Sequence, residues 1–212
     1  MNNVHVTMTA VIVSSSLFAT GFACADFQGF SIEATDGGLG FGTTYRIYAD
    51  VDTGDQLNAV FGDGVDPLSI STTTSFYQHE AGGATVANQT DFMLNLFPSL
   101  AYDSYVTIGL DNAEGNTMLD IGIDWTIFES GADLETSNGS WFATPDDAQV
   151  FEVDGRVLIG QFTTTGQLSG IMNVQGKNAD FTNWQYRGVE LPAPGIIALL
   201  GIAGITVRRR RQ

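Results

Sequence analysis

Three features of this 212-residue chain predict an all-β fold, an antiparallel β-sandwich with a jelly roll as the expected topology. Apolar and polar residues alternate at period two in several stretches, no window between the two ends carries a helical stripe, and turn-forming clusters interrupt the runs. Gly occupies 25 positions, above the usual share of roughly 7 %. Clusters such as Gly62-Asp63-Gly64 and Asn138-Gly139-Ser140 are where the chain is expected to reverse.

From the N-terminus, Ala10 to Ala23 is an apolar, small-residue run ending in Ala23-Cys24-Ala25. The small-x-small pattern at Ala23 and Ala25 is what a signal peptidase reads, so residues 1–25 are expected to be a signal peptide and Asp26 the mature start. Met1 to Thr9 carries no Lys or Arg. In Thr43 to Val51, Tyr45, Ile47, Ala49 and Val51 alternate with Thr44, Arg46, Tyr48 and Asp50, which predicts a strand. Further strands are expected near Leu57 to Phe61, Leu68 to Tyr77 and Tyr105 to Leu110. Asp120 to Phe128 shows the clearest alternation, with Ile121, Ile123, Trp125 and Ile127 on one face, and places Trp125 in the core. Asp154-Gly155, between Gln149 to Val153 and Arg156 to Thr164, signals a two-residue hairpin turn. Gly170 to Gln175 and Asn183 to Leu191 complete about eight to ten strands in one domain, residues 26–190. No internal repeat is visible, which argues against a solenoid.

Charge narrows the partners. The chain carries −16 overall, but residues 26–190 hold all 24 acids against four basic residues, a net of −20. Such a segment repels nucleic acid, attracts cations, Ca²⁺ among them, and stays soluble in a crowded matrix. Its one cysteine, Cys24, falls in the leader, so neither disulfides nor thiolate chemistry is expected after export.

Catalysis finds little support. His79 is the one histidine of residues 26–190, and Ser104 in Tyr102-Asp103-Ser104-Tyr105 lacks the glycine-flanked nucleophile elbow. Asp120 and Asp124, four apart on an expected strand, would lie about 14 Å apart, beyond both glycosidase separations. No enzyme is therefore expected.

Binding residues are better candidates. Asp50-Val51-Asp52-Thr53-Gly54-Asp55 puts Asp50, Asp52 and Asp55 on a Gly-containing turn, which reads either as a hard-cation site or as a solvated turn. Asp111-Asn112-Ala113-Glu114-Gly115-Asn116 is a second oxygen-rich turn. Trp141, after a loop, and Trp184, alternating with Tyr186, could present flat rings to a sugar, although core packing is the usual fate of Trp.

The tail, residues 191–212, reads LPAPGIIALLGIAGITVRRRRQ. Ile196 to Val207 is uncharged and would make about 18 Å of helix against a hydrocarbon core of about 30 Å, short for a permanent span. Arg208, Arg209, Arg210 and Arg211 form a stop that should remain cytoplasmic. Pro192-Ala193-Pro194-Gly195, the apolar run and the arginines resemble the tripartite PEP-CTERM sorting signal, with Pro-Ala-Pro in place of Pro-Glu-Pro. The resemblance implies an exosortase-type processing enzyme as partner, a membrane tether through a single transmembrane-like helix before cleavage, and delivery to the cell surface or extracellular matrix, typically alongside exopolysaccharide or biofilm. Two functions follow as expectations: a structural, matrix-associated protein, or a carbohydrate-binding module using Trp141 and Trp184, ordered by Ca²⁺ at the Asp50 turn.

Overall fold

In the computed structural model, which describes residues 26–37 and 40–193, the chain forms two antiparallel sheets packed over one core. The leader with Ala23 and Ala25, and the tail from Pro194 through Gly195 to Arg208–Arg211, lie outside the described residues; Pro192 and Ala193 end them. No helix among the described residues is long and apolar enough to cross a membrane.

The chain alternates between the sheets. β1 (Phe27–Asp36) and β2 (Thr43–Val51) form a hairpin, and the next turn leads to β3 (Gln56–Gly62) and β4 (Leu68–Thr72) in the second sheet. After a non-strand excursion containing α1 (Asp91–Leu96), β5 (Tyr105–Val106) returns to the first sheet. β6 (Leu119–Ile121), α2 (Trp125–Glu129), β7 (Leu134–Thr136) and β8 (Gly139–Phe142) follow, the three strands in the second sheet. β9 (Arg156–Thr164) crosses to the first, and β10 (Leu168–Lys177) with β11 (Asn183–Glu190) closes the second. Strand order is β1-β2-β9-β5 in one sheet and β6-β8-β3-β10-β4-β7 in the other, with β11 paired to β10. Among the described residues eleven strands, four in one sheet and seven in the other, stand against the eight to ten expected from the sequence.

Alternation explains the first sheet. In β2, Tyr45, Ile47, Ala49 and Val51 are buried while Arg46, Tyr48 and Asp50 point outward. β9 is buried almost throughout; its outward Gln161 is covered by the segment from Ala101 to Asp103, whose carbonyls accept from the Gln161 amide. Ile47, Val157 and Ile159 meet Leu57, Trp141 and Met172 from the opposite sheet in one core cluster, each large side chain stabilising the fold by about 1.5–3 kcal/mol.

The expected strand over Asp120 to Phe128 is replaced by β6 and α2. Gly122 adopts φ 72°, which ends β6, and Asp124 caps the helix by accepting the Thr126 N–H at 3.1 Å. Trp125 is consequently half-buried, with its indole N–H donated to Asp120 at 2.9 Å, and Ile121 stands 66 % exposed. Leu68 to Tyr77 shortens to β4, and Tyr105 to Leu110 to β5. The hairpin turn holds, with Asp154 at φ 56° and Gly155 at φ 80°, but the arm before it is a 3-10 turn at Ala148–Val150 plus isolated bridges.

Candidate functional site

The tryptophans expected to meet sugar are inside. Trp141 is fully buried at the centre of the sandwich, its N–H shared between the Thr107 carbonyl at 3.1 Å and the Ile159 carbonyl at 3.2 Å. Its position on β8, directly opposite Val60 of β3, aims the ring at the other sheet. Trp184 is 5 % exposed, stacked on Phe27 at 6.0 Å and lying against Gly176, where a side chain would collide with it. Its indole N–H is buried with no partner among the described residues. Neither ring offers a face to a ligand.

The carboxylates of the Asp50 turn also separate. Asp50, outward from β2, accepts the Ser31 hydroxyl at 2.6 Å, and Asp52 accepts from the Gln28 amide. Asp55 turns inward and accepts the Ala179 N–H at 2.8 Å, with burial raising its pKa. Asp50 and Asp52 are held by different residues of β1 and Asp55 by the loop after β10, and among the described residues no three His, Cys, Asp or Glu side chains come together as a ligand set. The Asp111 turn is used for structure: Asp111 pairs with Arg46 at 3.3 Å, and the Asn116 amide bonds back to Asn112 and Leu110.

What the fold assembles instead is a surface cluster of rings. Phe41, from the β1–β2 loop, lies 4.4 Å from Tyr77 and 5.2 Å from Tyr102. His79 extends the row, 6.3 Å from Tyr77 and 5.7 Å from Phe97, which is 36 % exposed. The segment after β4 is drawn over the end of the first sheet, the Tyr77 N–H donating to Thr163 and the Tyr77 carbonyl accepting from Ser104. A cleft of about 390 Å³ opens beside Phe41 and Tyr77, with Gln78 and Glu129 on its walls. The Gln78 amide nitrogen there is buried and without a partner among the described residues. Spacing in sequence could not have revealed this cluster, because its rings come from three separate segments.

Under the rings lies a polar frame. Asp103 is fully buried and accepts from the His79 N–H at 2.8 Å, the Gly83 N–H at 3.2 Å and the Gln89 amide at 3.2 Å. Burial nevertheless pushes its pKa up to about 6. Gly82 packs so closely on this carboxylate that any side chain would collide with it.

No family model, curated protein sequence or solved structure matches the chain.

His79, Ser99 and Asp103 share the composition of a hydrolytic triad but not its polarity. The His79 Nδ1 accepts the Ala81 N–H at 3.0 Å, so the ring proton sits on Nε2 and is donated to Ser99 Oγ at 3.0 Å. Ser99 in turn bonds the Tyr77 phenol, whose pKa burial raises. A general base would need a lone pair at Nε2 and a carboxylate on Nδ1; here Asp103 holds the backbone of His79. The network positions rings, and Ser104, fully buried, exchanges bonds with Thr163.

Proposed function

We propose that this is an exported, matrix-associated β-sandwich protein, tethered by its C-terminal tail before exosortase-type processing and then retained at the cell surface by contact with polysaccharide. The observation that carries the binding part of this reading is the half-exposed row Phe41, Tyr77, Tyr102, His79 and Phe97 beside an amide- and carboxylate-lined cleft. Ring faces cover the C–H side of a sugar while Glu129 meets its hydroxyls. The sorting part is supported by the tail residues Pro192 to Gly195 and Arg208 to Arg211. A carbohydrate-binding module is thus favoured at this cluster, in place of Trp141 and Trp184.

Two measurements test it. Tyr102→Ala and Phe97→Ala, both with native circular dichroism, should lower retention of the protein on the producing cells' extracellular polysaccharide at least tenfold, and unchanged retention removes the cluster from the binding role. Deleting Arg208 to Arg211 should abolish surface retention in cells, and normal display would exclude tail-dependent sorting.

A further inference from the structure

A second cleft, sharing no lining residue with the aromatic one, opens on the outer face of the first sheet with a volume of about 330 Å³. Strand register builds it. Glu33, Arg46 and Gln161 lie in one cross-strand row, Ser31, Tyr48 and Leu158 in the next, and Asp50 and Arg156 in the third. The Arg156 guanidinium lies 4.0 Å from the centre of the Tyr48 ring and reaches Glu33 at 2.6 Å. Arg46 is anchored from the other side, its Nε donating to Gln161 at 3.1 Å and its Nη2 pairing with Asp111 at 3.3 Å.

Residues 26–190 contain four cations against 24 acids, and two of the four face this one cleft. Lys177 and Arg187 are elsewhere, paired with Asp146 and with Asp63 and Asp66. Neither cleft guanidinium is used up: Nη1 of Arg46, and Nε and Nη1 of Arg156, make no hydrogen bond among the described residues. Arg46 is oriented by Asp111 and Gln161 and Arg156 by Glu33, which leaves N–H groups on each guanidinium for a further acceptor. On the wall opposite, Gly109, at φ 77°, packs on the Gln149 backbone where no side chain fits. Gln149 itself bonds Ile108 at 2.8 Å and Thr117 at 2.7 Å. Leu110, Phe151 and Val153 add an apolar lining, and Asp111 and Asp154 add acceptors.

We infer that this cleft is a binding site for a carboxylated saccharide of the uronate type, its carboxylate received by Arg46 and Arg156 and its hydroxyls by Asp111 and Asp154. A bare anion fits poorly, since it meets the field of these carboxylates without offering hydroxyl donors to them. A neutral sugar fits poorly too, since it offers no charged acceptor to the remaining N–H groups of Arg46 and Arg156. A uronate answers both, which sets it apart from the uncharged rings favoured by the aromatic cluster.

The test is calorimetric titration of the full-length chain in mild detergent at low salt with glucuronate, glucose and acetate. Saturable glucuronate binding is expected, at least tenfold tighter than glucose or acetate, weakened tenfold by Arg46→Gln or Arg156→Gln with unchanged circular dichroism, and weakened by added salt. No binding of millimolar glucuronate, equal binding of glucose, or binding unaffected in both variants would overturn the inference. Tyr102→Ala should leave glucuronate binding unchanged, so this site can fail while polysaccharide retention by the aromatic cluster stands, and the reverse.

Discussion

At the scale of single residues, buried polar groups give the sharpest expectations. Asp103 releases its proton at about pH 6 in the folded chain, against an ordinary value of 3.8. Because the native state holds the proton more tightly, the stabilisation is fully present below the ordinary value and is lost as pH rises through about 6, a loss of about 3 kcal/mol. Asp103→Asn should flatten that part of the urea-midpoint profile between pH 4 and 7, while lowering stability by about 1–3 kcal/mol at acidic pH, since an amide turns a donor toward N–H groups that need an acceptor. A slope identical in variant and parent would assign the pH dependence to other acids. Trp141 is the packing counterpart. Trp141→Phe removes the donor that serves Thr107 and Ile159 and should cost about 1–3 kcal/mol, and Trp141→Ala about 3–5 kcal/mol, read from urea unfolding. Neither residue announced its role in the sequence. A Trp after a loop and an Asp beside a Ser are ambiguous until the strand that carries them has a neighbour.

Among the elements, legibility followed how far the local signal agreed with the neighbours. β2 was read with its observed bounds because both faces are defined, core on one side and the cleft on the other. The Asp154-Gly155 turn was likewise plain, since two positive φ values are affordable to few residue pairs. A Cβ at Gly155 would meet nothing closer than the Val51 carbonyl at 3.8 Å, an ordinary contact. Gly155→Ala should therefore cost only the conformational strain, about 1–2 kcal/mol, measured as a drop in the urea midpoint; a much larger loss would mean that the turn backbone shifts. Residues 120–128 misled for the opposite reason. Period-two alternation competed with a cap at Asp124 and a positive φ at Gly122, and the short-range terms won, leaving Ile121 and Ile127 on the surface. α1 shows the same signature, Thr90 accepting the Met93 N–H at 3.1 Å, a cap visible in the sequence but unread because no apolar stripe follows it. β1 was missed too; it is paired along its length to β2, and that pairing rather than its own pattern holds it extended.

Across the whole molecule, charge dominates what composition can say. A net of −20 over residues 26–190 loads the folded state with self-repulsion, so moderate salt should raise the melting temperature by several degrees. Since Asp50, Asp52 and Asp55 are each tied to separate partners, Ca²⁺ at matched ionic strength should raise it no more than Mg²⁺ does, and a selective Ca²⁺ effect would show that the turn rearranges around the ion. Composition and alternation by themselves determined the all-β class, the acidic charge and one two-residue turn, because these depend on local chemistry or on simple sums. The two clefts, the burial of both candidate tryptophans and the separation of the three aspartates were decided only by the tertiary structure. The physical reason is that each of these depends on which strand lies beside which: Arg46 meets Arg156 across a register set by β2 and β9, and Phe41 meets Tyr77 and Tyr102 only where the chain folds back over the end of the sheet.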